Sequence, residues 1–125
     1  MINKLAKEVH QNAKNKGFFD SKKNIGEMLC LIHSEVSEAL EADRKNMYTN
    51  LSEELREDLE LDGTSPRYDT LHFESFVKDT FEDELADVMI RVMDLAAFKN
   101  IDLEWHIKQK MNYNSKREHK HGTYY

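Results

Sequence analysis

Apolar residues recur along this chain at intervals of three and four, which is the pattern of amphipathic α-helices. The first such stripe predicts a helix over about residues 2–16, ended by Gly17. The second predicts a helix from Asn24 to about Asn46, with Asn24 as the N-cap and Glu27 three residues later, as in a capping box. The apolar positions of this second helix are Ile25, Met28, Leu29, Ile32, Val36, Ala39 and Leu40.

Two more long helices are predicted in the second half of the chain. One begins near Thr80 and is closed by Asn100, and Asp102 then caps the other. Their apolar positions are Leu85, Val88, Met89, Val92 and Ala96 in the first, and Leu103, Ile107 and Met111 in the second.

Residues 47–79 form an insertion with a weaker pattern. Leucines at four-residue spacing (Leu51, Leu55 and Leu59) predict a short, very acidic helix, and the segment DGTSPRYD predicts a loop. A cluster after the loop is expected to form either a short helix or a hydrophobic flap; its members are His72, Phe73, Phe76 and Val77. The polar C-terminal tail, about 118–125, is expected to be mobile.

Composition favours an all-α protein with one domain over residues 1–125. Only four Gly and one Pro are present, too few for the turns that many short strands need. A lone cysteine, Cys30, cannot form an internal disulfide, and its apolar setting MLCLI predicts a buried thiol. The large aromatic residues Phe18, Phe19 and Trp105 are likewise assigned to the core rather than to stacking on a base.

The distribution of charge narrows the classes of partner. A net charge of −6 argues against binding to a nucleic-acid polymer. Six acids stand against one base in residues 53–62, whereas five bases stand against one acid in residues 108–121. Such an arrangement can hold cations in one place and an anionic ligand beside them. With neither an apolar signal core nor a stretch of transmembrane length, a cytoplasmic protein without membrane attachment is expected.

Two pairs of carboxylates carry the candidate chemistry. Glu35 with Glu38, and Glu84 with Asp87, are each spaced i, i+3 and lie on the same flank of their apolar stripes. If the two helices pack antiparallel, stripe to stripe, all four carboxylates converge. Mg²⁺, a hard ion that prefers oxygen ligands, would offset their repulsion. The alternative is that these acids merely solvate two helix faces.

A row of polar side chains on the last helix offers a complement for an anion. Lys110, Asn114 and Arg117 are spaced i, i+4 and i+7. Lysine and arginine there can neutralise phosphates, and asparagine can bind a phosphate, a sugar or a metal-bound water. From spacing alone, a solvated helix end is the preferred interpretation, because basic residues also favour the helix C-terminus electrostatically.

These residues resemble one known family. The stretches KGFFDSKKNIGEMLCLIHSEVSEALEADRK and FEDELADVMIRVMDLAAFKNIDLEWHIKQKMNYNSKREHKHG are similar to the MazG-like nucleotide pyrophosphohydrolases. The similarity covers residues 14–46 and 80–122. Its specific parts are the Glu-x-x-Glu and Glu-x-x-Asp pairs and the sequence Lys-x-x-x-Asn-x-x-Arg followed by Lys-His-Gly.

The resemblance implies a four-helix-bundle core of the all-α NTP pyrophosphatase type that forms homodimers or homotetramers. It implies hydrolysis of nucleoside triphosphates to the monophosphate and pyrophosphate with Mg²⁺, for which Mn²⁺ can substitute. Carried over, the metal ligands are Glu35, Glu38, Glu84 and Asp87. The triphosphate contacts are Lys110, Asn114 and Arg117.

Two departures from the family pattern keep alternatives open. Many relatives have a glutamate, which can orient the attacking water, where this chain has Ser34; Glu38 or Glu35 is the expected substitute as base. The longer interval at 47–79 predicts a substrate lid or an oligomer contact. The alternatives are a pyrophosphohydrolase specific for dUTP, dCTP or phosphoribosyl-ATP, a non-catalytic helical interaction protein, and a nucleotide sensor without turnover.

Overall fold

The computed structural model describes residues 1–61, 63–65 and 70–117, which contain six α-helices and no strand. In chain order they are α1 (Ile2–Asn15), α2 (Ile25–Arg44), α3 (Glu53–Leu59), α4 (Thr70–Phe76), α5 (Phe81–Phe98) and α6 (Leu103–Ser115). The predicted all-α class is confirmed, and the specific four-helix-bundle core stays a prediction. Most of the predicted loop DGTSPRYD and the tail 118–125 lie outside the described residues.

Short-range signals set the helix boundaries. Each expected start residue accepts a hydrogen bond from the backbone N–H three residues on: Asn24 from Glu27 at 3.3 Å, Thr80 from Asp83 at 3.3 Å, and Asp102 from Trp105 at 3.0 Å. The expected stops adopt left-handed backbone conformations, with φ values of 84° at Gly17, 55° at Asn46 and 55° at Asn100. The cluster after the loop lies in a short helix, α4, rather than in a flap, except that Val77 directly follows the helix.

The chain divides into two compact units. The first comprises Met1–Lys22 and Val92–Tyr125, and the second comprises Lys23–Arg91. Helix α5 therefore contributes its first half to the second unit and its second half to the first. The single domain predicted over residues 1–125 stays a prediction.

In the first unit, α1 and α6 cap each other. Oε1 of Glu104 accepts hydrogen bonds from the Met1 ammonium and from the Ile2 N–H, both at 2.7 Å. In return, Oδ1 of Asn3 accepts from the Glu104 N–H at 3.1 Å, and its amide donates to Asp102 at 2.6 Å. Each helix thus satisfies N-terminal N–H groups of the other, which fixes the two N-termini together.

Few apolar residues are buried among the described residues of the second unit, and a backbone hydrogen bond joins two of its segments. Its buried apolar residues are Met28, Ala39 and Ala42 on α2. The N–H of Phe81 donates to the Met47 carbonyl at 2.8 Å, which links the start of α5 to the chain just after α2. Helices α3 and α4 contact each other, so the 47–79 insertion contains a pair of short packed helices.

Several residues expected in the core are exposed. Cys30 is exposed, so the prediction of a buried thiol is wrong. Trp105 is 53% exposed and Phe18 is 61% exposed, which corrects their assignment to the core, whereas Phe19 is half-buried. Apolar stripe positions of α2 are exposed as well, among them Leu29, Val36 and Leu40. The apolar stripes are wider than the surface that packs against them, so periodicity overstates burial here.

Among the described residues, no helix combines the length and the apolar character that crossing a bilayer requires.

Candidate metal centre

Three of the four expected carboxylates meet in the second unit. Carboxylate oxygens of Glu35, Glu38 and Glu84, one from each residue, lie within 4.8 Å of one another. Glu35 and Glu84 are buried, with 8% and 4% of their surfaces exposed, while Glu38 is exposed. Glu38 lies beside Glu84, and Glu35 contacts Arg91 further along α5. Helices α2 and α5 therefore run antiparallel here, which is the arrangement that the matched flanks required.

Two oxygen atoms of this cluster lack any partner within the described part of the chain. Oε2 of Glu35 and Oε2 of Glu84 are covered from water and accept no hydrogen bond. A buried acceptor left unpaired costs about 1–3 kcal/mol, and more if it is charged. Two such atoms in one cluster, both oxygens and both from carboxylates, fit a hard divalent cation such as Mg²⁺ as the missing partner.

The close approach of these carboxylates also affects the pKa of Glu84. Burial, followed by a hydrogen bond with Glu38 and by the negative charges of Glu38, Asp87 and Glu35, raises the pKa of Glu84 from 4.5 to about 7. A carboxyl–carboxyl hydrogen bond requires a proton on one of the two groups. In the absence of a cation, a proton thus partly neutralises the cluster, and a cation would compete with that proton.

Asp87 is near the cluster but not among the converging oxygens. It is partly buried, and its pKa is raised mainly by burial and then by the charges of Asp83 and Glu35, with Arg91 acting in the opposite direction. It belongs to neither group of three carboxylates whose oxygens lie within 4.8 Å. Its role as a fourth metal ligand stays a prediction.

Arg91 is a member of the site that the sequence analysis missed. Its Nε donates to Oε1 of Glu35 at 2.7 Å, so the arginine partly offsets the charge of a buried acid. A signal was present, because residues 84, 87 and 91 are spaced i, i+3 and i+7 and share one face of α5. A single base in the apolar stretch VMIRVM, on the face of two acids, indicates a partner across that face.

A second group of carboxylates adjoins the first. Oxygens of Asp79, Asp83 and Glu84 also lie within 4.8 Å of one another, so Glu84 belongs to both groups. The N–H of Asp79, whose φ is 66°, donates to Oδ2 of Asp83 at 3.0 Å. The sequence analysis did not single out Asp79 or Asp83.

Ser34, the residue directly before Glu35, forms a hydrogen bond within its own helix. Its Oγ donates to the Leu31 carbonyl of its own helix at 2.7 Å. The exposed carboxylate of the cluster is Glu38, and Glu35 is buried and engaged by Arg91. Of the two substitutes expected as base, Glu38 is the one with access to water.

The predicted phosphate contacts lie in the first unit. Lys110, Asn114 and Arg117 are all exposed on α6 or just after it. Nη1 of Arg117 donates to Oδ1 of Asn114 at 3.2 Å, and Nζ of Lys110 lies 5.2 Å from the ring centroid of Tyr113. The hydrogen bond joins two members of the predicted row, Asn114 and Arg117. Because the carboxylates belong to the other unit, contact of this row with the same ligand stays a prediction.

Comparison of the chain with protein-family models, with curated proteins and with solved structures gives no match. The basis for assigning a function is therefore the geometry of Glu35, Glu38, Glu84 and Arg91.

Proposed function

We propose that the chain is a magnesium-dependent pyrophosphohydrolase of nucleoside triphosphates. The observation that supports this most directly is the pair of buried, unpartnered oxygens on Glu35 and Glu84, in one cluster with the exposed Glu38. The resemblance to the MazG-like family supplies the reaction and the substrate class.

The roles of the side chains follow from their burial. Glu35 and Glu84, covered from water and each with an unpaired oxygen, hold the cation together with Glu38. Mg²⁺ in such a site supplies charge neutralisation and lowers the pKa of water. Glu38, exposed, accepts the proton of the attacking water. The oxygen of that water bonds to the α-phosphorus, the bond from that phosphorus to the bridging oxygen breaks, and pyrophosphate leaves.

In this proposal, residues of the first unit bind the substrate. Lys110, Asn114 and Arg117 contact the triphosphate, as the resemblance implies. Their charges and donors suit phosphate oxygens. Exposed apolar side chains on α2, among them Leu29, Val36 and Leu40, are in keeping with the proposed homodimer or homotetramer.

The test is pyrophosphate release from a panel of nucleoside and deoxynucleoside triphosphates, including dUTP and dCTP, with phosphoribosyl-ATP assayed alongside. Glu84→Gln removes a ligand charge but keeps the size of the side chain, and Glu74→Gln, on exposed α4, is the matched control. We expect loss of at least about 100-fold in turnover for Glu84→Gln, since metal and developing charge are both affected, and none for the control. Full activity in a folded Glu84→Gln protein would reject the assignment.

A second function, nucleotide sensing without turnover, is favoured by one observation. Ser34 replaces a glutamate of the family pattern, and its hydroxyl is bonded to its own helix. This protein would bind magnesium nucleotide and be stabilised by it without releasing pyrophosphate. Calorimetric binding combined with the absence of product over hours would select this function over hydrolysis.

A further inference from the structure

Arg91 connects the buried part of the acidic cluster with solvent. Its Nε lies 2.7 Å from Oε1 of Glu35, yet its own side chain is 40% exposed. Glu35 thus presents one oxygen to the arginine, while its other oxygen, Oε2, is the buried and unpartnered one. A cation can be held through Oε2 without displacing Arg91 from Oε1.

The guanidinium keeps unused donors. Of its five N–H groups, only the Nε group forms a hydrogen bond in the part of the chain that the structure describes. The four N–H groups on Nη1 and Nη2 have no such partner there. A planar fork of charged donors, partly open to water, matches the oxygens of a phosphate group.

A positive charge at Arg91 offsets part of the negative charge of the cluster. Glu35, Glu38, Glu84 and Asp87 carry up to four negative charges, and a single divalent ion compensates only two of them. A polyphosphate, itself an anion, approaches such a cluster favourably only where a further positive group faces it. Arg91 is the base whose ion pair with the cluster the structure shows.

We propose that Arg91, besides its ion pair with Glu35, is a phosphate-binding residue of this site. Its Nε holds Oε1 of Glu35, and its Nη groups bind non-bridging oxygens of a polyphosphate chain. This inference rests on the proposed function. It places a phosphate-binding residue in the second unit, which contains the carboxylates. The resemblance, by contrast, implied phosphate contacts only at Lys110, Asn114 and Arg117.

The test separates cation binding from polyphosphate binding. Calorimetry measures the affinity for Mn²⁺ alone and for inorganic tripolyphosphate with saturating Mg²⁺, a probe that carries no base or sugar. The variants are Arg91→Gln, Arg91→Lys and, as a control with the same change in net charge, Arg56→Gln, whose side chain pairs with Glu60 on α3. Circular dichroism establishes folding for each variant.

We expect Arg91→Gln to weaken tripolyphosphate binding at least about tenfold, because charge-assisted hydrogen bonds are lost. Its affinity for Mn²⁺ should equal or exceed that of the wild type, since a positive charge has been removed beside the cation. Arg91→Lys, with a single donor centre, should be intermediate. If Arg91→Gln does not fold, the Arg91→Lys protein, which keeps the charge, must still show weakened tripolyphosphate binding with unchanged Mn²⁺ affinity.

Three results would overturn the inference. Unchanged tripolyphosphate affinity in both Arg91 variants would overturn it alone and leave the proposed function standing. Loss of Mn²⁺ binding in parallel with tripolyphosphate binding would reduce Arg91 to a support for Glu35. A wild-type protein that binds Mn²⁺ but no tripolyphosphate would remove both this inference and the proposed function.

Discussion

Nδ1 of His10 lies 2.8 Å from Oδ1 of Asp94, which joins α1 to the second half of α5 inside the first unit. Both side chains are largely covered, with 16% and 18% of their surfaces exposed. The imidazole also contacts the Phe19 ring edge-on at a centroid distance of 4.7 Å, and Phe98 at 6.1 Å. The polar pair is therefore enclosed by aromatic rings, where an unpaired carboxylate would be costly.

Replacing Asp94 with Asn should lower the free energy of unfolding by about 1–2 kcal/mol, because a charged acceptor in a covered hydrogen bond becomes a neutral one. Urea denaturation measures this change. Glu8→Gln, on the exposed side of α1, is the control and should change stability by less than about 0.5 kcal/mol. Equal stabilities for the two variants would show that the pair contributes nothing.

The raised pKa of Glu84 predicts a pH dependence with a definite sign. Because the native state holds this proton more tightly than the unfolded chain does, the stability of the cation-free protein falls as pH rises from about 4.5 to about 7 and then levels off. Glu84→Gln cannot ionise, so in chelator above pH 7 it should be more stable than the wild type by on the order of 1–3 kcal/mol.

Thermal unfolding in EDTA at pH 5 and pH 8 measures this effect. The difference in Tm between Glu84→Gln and wild type should be larger at pH 8 than at pH 5. The Glu74→Gln control should have the Tm of the wild type at both pH values. A gap that is the same at both pH values, or larger at pH 5, would mean that the carboxyl group of Glu84 is not held protonated by its surroundings.

Divalent cations should stabilise the protein, and more so at higher pH. At a concentration of about ten times the dissociation constant, binding to the native state adds about 1.4 kcal/mol, which corresponds to a rise of about 5 °C in Tm. Because the cation competes with the proton on Glu84, the rise in Tm with Mg²⁺ or Mn²⁺ should shrink as pH falls below about 7. Differential scanning fluorimetry with and without EDTA measures it. A cation effect that persists in Glu84→Gln would place the ion elsewhere.

The lowered pKa of Glu104 predicts that its contribution to stability depends on pH in the opposite direction. Its hydrogen bonds with the Met1 ammonium and the Ile2 N–H lower its pKa to about 2, so its contribution is present above pH 4.5 and is lost as pH falls toward 2. Glu104→Gln should reduce the protection of the first-turn amides of α1 against hydrogen exchange at pH 7. The change should be small at pH 2.5, where much of the contribution is lost in the wild type. If protection in Glu104→Gln equals that of wild type at pH 7, mutual capping does not hold α1.

The sequence predicted the helices well because their boundaries depend on neighbouring residues. The caps at Asn24 and Asp102 and the left-handed stops at Asn46 and Asn100 each involve atoms a few residues apart. The i, i+3 spacing of the acids, combined with matched flanks, predicted that four carboxylates converge, and the oxygens of three of them, Glu35, Glu38 and Glu84, lie together. Burial was predicted poorly, as Cys30 and Trp105 illustrate, because exposure depends on what packs against a stripe and not on the stripe itself.

The sequence by itself determined where the helices begin and end and which face of each carries the acids, since both properties follow from local backbone chemistry and helical periodicity. Only the tertiary structure decided that Glu35 would be buried against Arg91, 56 residues away in the chain, and that burial and neighbouring carboxylates would raise the pKa of Glu84. Those properties arise from the approach of two antiparallel helices, which removes water from some charges and brings others together. Desolvation and distance act through space, and no local spacing specifies them.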